Sequence, residues 1–350
     1  MNVLVAMSGG VDSAVTAYLT SREHNCVGAT MSLCSSLVPS EKRQAIENDI
    51  LDAKKICDIL NIPHKVYDLS DEFRRSVVED FISSYRSGAT PNPCVICNRL
   101  IKFGALLEEC DKLGMDAIAT GHYARIEKDS SGRFLLKKAT DISKDQSYVL
   151  YSFSQHQLSR TLLPLGSITK DQAREIAHQN GFINAQKRDS QDICFIPDGD
   201  YAAFIERITG EKFPKGSFID SNGAILGEHD GIIKYTVGQR KGLGIALGEP
   251  MYVAEKNVDK NTVTLVRNSE LFKRELTASS INLIACDSIN TPIRVCARIR
   301  YNQKEQPATV VQTDTDTLSV IFDEPQRAIS KGQSLVLYDG DTVIGGGIIN

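Results

Sequence analysis

Met1-Asn2-Val3-Leu4-Val5-Ala6-Met7-Ser8-Gly9-Gly10-Val11-Asp12-Ser13 is the stretch that decides the fold. The apolar run Met1–Met7, with two valines, reads as a buried strand. Gly9 and Gly10 then turn the chain, and Val11, Val15 and Leu19 recur at helical spacing. A strand, a tight turn and a helix in that order direct free N–H groups and a positive dipole end outward at the turn. Two glycines leave no side chain between those amides and a ligand, and Ser8 and Ser13 add hydroxyl donors. Such a turn suits a phosphate or pyrophosphate. A helix cap without a ligand is the plainer alternative, which a lone Gly-Gly would favour. The lysine-containing P-loop is excluded, because no Gly-Lys-Ser/Thr follows.

Working outward, Val27–Leu33, Lys65–Leu69 and Asp116–Thr120 read as further strands. Ile46, Ile50, Ala53, Cys57 and Leu60 keep helical spacing, with Ser40 as cap and Asn61 and Pro63 as stop. Glu72–Ser84 and Asn98–Leu113 read as helices too. Strands alternating with helices predict an α/β fold with a Rossmann-like parallel sheet covered on both faces. After Pro164 the character changes. Thr169–Asn180 reads as a short helix capped by Thr169 and ended by Gly181. From Gly216 onward short strands alternate with Gly/Asn/Asp turns: Thr262–Val266, Ile293–Arg300, Thr309–Gln312, Leu318–Phe322 and Ser334–Tyr338. That pattern predicts one or two small β-barrels, the last at the C-terminus.

A chain of 350 residues predicts two or three domains. With 41% hydrophobic and 24% charged residues it is of globular composition, which excludes disordered, collagen-like and coiled-coil classes. Forty basic residues against 44 acidic ones give a net charge of −4, which argues against indiscriminate polyanion binding. Basic residues still cluster at Lys187-Arg188, Arg240-Lys241 and Arg294/Arg298/Arg300, the last three sharing one face of the expected strand. A solvated charged face is the favoured reading of these clusters, and a polyanion surface is the alternative. The nine cysteines are odd in number. No secretory leader and no apolar run of membrane-spanning length is evident, so a cytoplasmic protein with reduced thiols is expected. Its cysteines are then buried, catalytic or metal-binding rather than disulfide-paired.

Two cysteine segments stand out. In Thr90-Pro91-Asn92-Pro93-Cys94-Val95-Ile96-Cys97-Asn98-Arg99, the prolines stiffen the approach. Cys97 is expected near a helix start, where the dipole lowers a thiol pKa. The other segment is Ser190-Gln191-Asp192-Ile193-Cys194-Phe195-Ile196. For Cys26, Cys57, Cys110, Cys286 and Cys296 a buried small hydrophobe is the accepted reading, and Cys34 is left undecided.

The SGGVDS string resembles the pyrophosphate-binding loop of the ATP pyrophosphatase superfamily. Taken with the TPNPCVICNRLIKF segment at 90–103, Gly121-His122-Tyr123-Ala124-Arg125, Lys144-Asp145-Gln146-Ser147-Tyr148, SQDICFI at 190–196, the YTVGQRKGLG run at 235–244 and Arg300-Tyr301, the chain closely resembles the tRNA-specific 2-thiouridylase family over nearly its whole length. The resemblance implies ATP and Mg²⁺ as cofactors. ATP would bind at Ala6, Met7, Ser8, Gly9, Gly10, Val11, Asp12 and Ser13, with Met31 and Gly121 near the adenosine. The ligand of that magnesium is left unassigned, with Asp12 only one candidate. The wobble uridine C2 oxygen of tRNA for Lys, Glu and Gln would be adenylated. Cys194 would carry a persulfide received from a sulfur-carrier protein or cysteine desulfurase, with Cys97 as the nucleophile that frees the sulfur. Asn92, Pro93, Cys94, His122, Lys144, Asp145, Gln146, Arg300, Tyr301 and Gln333 match positions that face tRNA. For His122 alone a satisfied internal histidine is the plainer reading, and for Lys144, Arg300 and Gln333 surface solvation competes.

Several members of the family carry Asp where this chain has Cys94. The change creates Cys94-x-x-Cys97, so an alternative is a [4Fe–4S] cluster held by Cys94, Cys97 and Cys194. The expected division is an ATP pyrophosphatase domain at 1–160 rejoined by about 191–213, a central tRNA-binding domain from 161–190 and 214–276, and a C-terminal β-barrel at 277–350. A monomer without membrane association is expected. Two other functions compete. A glutamine-dependent synthetase often carries a cysteine directly after the initiator methionine, where Asn2 stands, or a separate glutaminase segment, for which no room is expected upstream of the loop. A non-enzymatic barrel RNA-binder leaves the loop and the cysteines without a use.

Overall fold

The computed structural model describes residues 1–184 and 193–350. The chain divides into two compact units. Unit 1 gathers Met1–Val78, Pro93–Phe195 and Gly340–Gly345; unit 2 gathers Glu79–Asn92, Ile196–Asp339 and Gly346–Asn350.

Unit 1 is built on β1 (Asn2–Ala6), β2 (Asn25–Ser32), β3 (His64–Asp68), β4 (Ala117–Ala119), the hairpin of β5 (Ala124–Lys128) and β6 (Phe134–Lys138), and β7 (Thr161–Leu162). Its sheet runs β3-β2-β1-β4-β7, every pairing parallel. Val3, Leu4 and Val5 at its centre are fully buried, as a strand covered on both faces must be. The α1 helix (Val11–Ser21) lays Val11, Ala14, Val15 and Ala17 against Val3, Val5 and Met7. The α2 helix (Ser40–Ile59) adds Ala53, Ile56 and Cys57 to the same core. The helix Lys170–Gln179 carries the capping box of Thr169 and Gln172 and buries Ala173 and Ala177 in that core. It therefore belongs with unit 1, and residues from Ile196 belong with unit 2, a different partition from the expected 161–190 and 191–213. The reason is apolar: Ala173, Ala177 and Phe182 have a face to fill beside α1.

Helix also starts earlier than expected around the first cysteine segment. One turn spans Pro93–Ile96, and a π-helical stretch continues over Cys97–Ala105. Proline at the first helical position loses no hydrogen bond there, so Pro93 begins the helix rather than only stiffening its approach.

Unit 2 holds two antiparallel-rich sheets. The first is β8 (Gly216–Ile219), β9 (Ile225–His229), β10 (Tyr252–Asn257) and β11 (Thr262–Val266), ordered β10-β11-β8-β9. The second comprises β12 (Phe272–Leu283), β13 (Ile293–Arg298), β14 (Gln306–Asp314), β15 (Thr317–Arg327), β16 (Ser334–Asp339) and β17 (Thr342–Ile349). Their order is β12-β15-β14-β13-β16-β17, and β17 returns to pair with β12. This six-stranded closure is the C-terminal barrel that the strand-and-turn pattern predicts. The start of β17 is a member of unit 1, where Thr342 pairs with Lys137 of β6. Among the described residues no helix is long and apolar enough to cross a membrane.

Candidate active site

The strand order of unit 1 reverses between β1 and β4, the place where open α/β sheets take ligands. The loop Ser8–Gly10 leaves β1 there, and Gly121 leaves β4. A Cβ on Gly121 would stand 2.9 Å from the backbone carbon of Asp12, so the two exits touch. Ser13 Oγ accepts from the Ser8 amide at 3.2 Å and donates to the Gly10 carbonyl at 2.9 Å, which closes the loop on itself. Gly10 caps α1 with no side-chain bond, leaving first-turn amides for a ligand. Met31 is the penultimate residue of β2, at the same edge.

Asp12 does not face a free space. Lys170 Nζ lies 2.8 and 2.9 Å from its two oxygens, and Tyr123 donates its hydroxyl at 2.9 Å. Lys170 is only 4% exposed. Both carboxylate oxygens are thereby engaged by these two side chains. Behind the loop, buried Asn184 donates to the Gly9 carbonyl at 3.2 Å, and its Oδ1 has no partner among the described residues. Lys170, Tyr123 and Asn184 carry no local signal of this role; only the folded chain brings them to the loop.

The thiols form a second centre in unit 1. Cys97 is 9% exposed, and burial pushes its pKa up to about 12. This corrects the helix-dipole expectation: the helix starts at Pro93, so Cys97 lies a turn inside it and desolvation wins. Cys194 is exposed. A hydrogen bond from the Cys34 thiol brings its pKa down to about 7. Lys102 acts in the same sense on Cys94, Cys97 and Cys194, favouring thiolate at each. Cys194 and Cys94 in turn raise Cys97, so these thiols are close enough for their charges to act on one another. Lys102 was legible only as the lysine of the IKF string. Ser190, Gln191, Asp192, Lys187 and Arg188 lie outside the described residues. Among the described residues no three His, Cys, Asp or Glu side chains converge in a metal-holding group. No step is derived through a cluster.

The residues matched to tRNA-facing positions divide between the units. In unit 1, His122 is buried, bonds Thr120 Oγ1 at 2.7 Å and is kept neutral by desolvation. Asp145 is buried too and accepts from Ala139 N and from Ser147 N and Oγ. Gln146 accepts from the Tyr123 amide at 3.0 Å. These three have the surroundings of scaffold, whereas Lys144 is half-exposed and Cys94 exposed. In unit 2, Gln333 donates to the carbonyls of Thr90 and Pro91, tying the segment that ends at Asn92. Arg300 donates to the carbonyls of Val237 and Ala328 and to Ser330, while Tyr301 is exposed. The expected arginine face is shorter than foreseen. The strand ends at Arg298, Arg294 pairs with Asp323 at 2.6 Å, and Arg300 turns inward.

A parallel α/β unit with an uncapped glycine loop at its switch point is a nucleotide-binding class of fold. Residues 1–198 match the family described as "tRNA methyl transferase HUP domain", 202–267 the "tRNA methyl transferase PRC-barrel domain" and 273–349 the "Aminomethyltransferase beta-barrel domain". The chain is 46% identical over 351 residues to the tRNA-specific 2-thiouridylase MnmA of Clostridioides difficile (strain 630), covering 99% of this chain and 97% of that protein. It is 46% identical to the MnmA proteins of Acetivibrio thermocellus and Treponema denticola, covering 99% and 100% of this chain and 98% of each relative. The chain belongs to the tRNA-specific 2-thiouridylase family.

Proposed function

We propose that the protein is a tRNA-uridine 2-sulfurtransferase that uses ATP to exchange the C2 oxygen of the wobble uridine for sulfur in tRNA for Lys, Glu and Gln. A carbonyl oxygen is a poor leaving group and AMP a good one, so adenylation must precede substitution. The amides of Gly9, Gly10 and Val11 cradle the departing pyrophosphate. Lys170 and Tyr123 hold Asp12 and so fix the start of α1. Magnesium, when bound with ATP, supplies further neutralisation of the phosphates. Cys194, exposed and half thiolate near neutrality, is the acceptor of sulfur from a persulfide carrier or cysteine desulfurase. Cys97 is the second thiol, which attacks the sulfur–sulfur bond and frees the sulfur for C2. Lys102 supports the thiolate at both. The chemistry is assigned to unit 1 and the holding of tRNA to unit 2, with Asn92 and Tyr301 as contacts and with Gln333 and Arg300 bracing the chain beside them, in a cytoplasmic monomer.

The observation that carries this reading is that unit 1 contains both a glycine loop without a side-chain cap and an exposed cysteine set beside a second thiol. The test is ATP-dependent incorporation of radiolabelled sulfur into unmodified tRNA. Cys97→Ser and Cys194→Ser should each abolish it, by at least about a hundredfold. Full incorporation by either variant would overturn the catalytic roles of these two cysteines.

A further inference from the structure

Cys34 lies just past β2 and is 8% exposed. The thiolation scheme leaves it without a task. Yet its Sγ stands 3.9 Å from the Cys194 carbonyl oxygen, which sets the two residues side by side, and each thiol acts on the ionisation of the other. Cys97 is near enough to act on it as well. Cys34 is held beside Cys194 by burial on a segment leaving the sheet, and rotation of the exposed Cys194 side chain can bring its sulfur to that of Cys34.

We propose that Cys34 is a resolving thiol for Cys194, closing a Cys34–Cys194 disulfide and discharging the sulfane sulfur when no adenylated uridine is present to take it. This rests on the persulfide reading of Cys194. In the step, the Cys34 sulfur attacks Cys194 Sγ and a new Sγ–Sγ bond forms. The bond from Cys194 Sγ to the terminal sulfur breaks, and its electron pair leaves with that sulfur. The Cys34 proton passes to the departing sulfur, which is released as hydrogen sulfide. Cys34 is oxidised, the sulfane sulfur is reduced, and no outside oxidant is consumed. A dithiol reductant then restores both thiols. The contact acts on the resting pair in opposite senses, raising the Cys34 thiol and lowering that of Cys194. Cys34 and Cys97 thus compete for one persulfide. The first spills the sulfur and the second spends it on tRNA.

The experiment uses the full chain in two arms. In the first, reduced Cys97→Ser protein is treated with diamide and its disulfides are mapped by mass spectrometry without reduction. A Cys34–Cys194 link is expected. Its absence overturns the proposal whatever sulfur Cys194 carries. In the second arm, Cys97→Ser and Cys34→Ser/Cys97→Ser proteins are loaded with inorganic tetrasulfide and desalted. One added sulfur on Cys194 and the release of sulfide are then followed. Loss of Cys34 should prolong the persulfide by roughly tenfold or more. Equal lifetimes overturn the proposal. If Cys194 takes no added sulfur, the persulfide reading itself fails, and the diamide arm still reports whether the pair can close. Cys34→Ala repeats the comparison without a buried hydroxyl, and matched thermal midpoints exclude loss of fold.

Discussion

At the scale of single residues, the thiols are separated by environment rather than by sequence context. Cys97 and Cys194 both sit in short apolar strings, and nothing in those strings says which is the thiolate. Burial holds Cys97 at about 12, while the Cys34 thiol and Lys102 bring Cys194 to about 7. Iodoacetamide should therefore modify Cys194 first. Its rate should rise as pH passes through about 7 and level off above about 8, because only thiolate reacts. Cys97 should stay unmodified across that range. Peptide mass mapping after timed alkylation checks this, and preferential labelling of Cys97 would contradict it. The sequence singled out these two cysteines because their strings are distinctive. It left Cys34 undecided and passed over Lys170 and Asn184, since their roles arise from contacts across long stretches of chain.

At the scale of elements, the glycine loop offers a paired test. Gly9 has φ +72°, and a Cβ there would stand 2.3 Å from the Asp49 carbonyl oxygen. Gly9→Ala should lose about 2–4 kcal/mol in urea unfolding, from left-handed backbone strain plus the displacement of α2. Gly10 has φ −94° and only Ser8 Oγ at 3.5 Å, so Gly10→Ala should stay within about 0.5 kcal/mol of the parent. In β10, half-buried Lys256 places its Nζ over the Tyr85 ring at 5.7 Å, and that buried Nζ has no hydrogen-bond partner among the described residues. Desolvation lowers its pKa to about 8, against ~10.4 in an unfolded chain. Below about pH 8 both states are protonated and the folded one carries the full penalty. Between about 8 and 10.4 the folded state sheds its proton first, and the penalty fades. Lys256→Met should accordingly stabilise by about 1–3 kcal/mol at pH 7, with the gain shrinking towards pH 10 in urea melts. The strands and α1 were readable because burial on both faces demands apolar runs and 3.6-residue spacing. The helix start at Pro93 was not, because the same proline serves equally as a stiff approach and as a first helical residue.

At the scale of the whole chain, the net charge of −4 and the proposed tRNA substrate are reconciled only if a few basic groups do the binding. Affinity for tRNA should then fall by roughly tenfold or more between about 50 and 200 mM salt, measured by filter binding at fixed magnesium. A flat response would mean that phosphate contacts contribute little. The α/β class and the closing barrel followed from the change in periodicity near Pro164, a signal spread over many residues and so hard to lose. The exact partition was less readable, because nothing in residues 161–190 announces that Ala173 and Ala177 fill the core beside α1. One feature of the topology bears on how the chain matures. Gly340–Gly345 belong with unit 1, where Thr342 pairs with Lys137 and Asp341 meets Arg125. Those residues leave the ribosome after nearly all of unit 2 has been made. Unit 1 therefore waits, one edge unfinished, for a hairpin made more than 140 residues after Phe195, and a nascent chain stalled before residue 340 carries the glycine loop and the cysteines on an incomplete body.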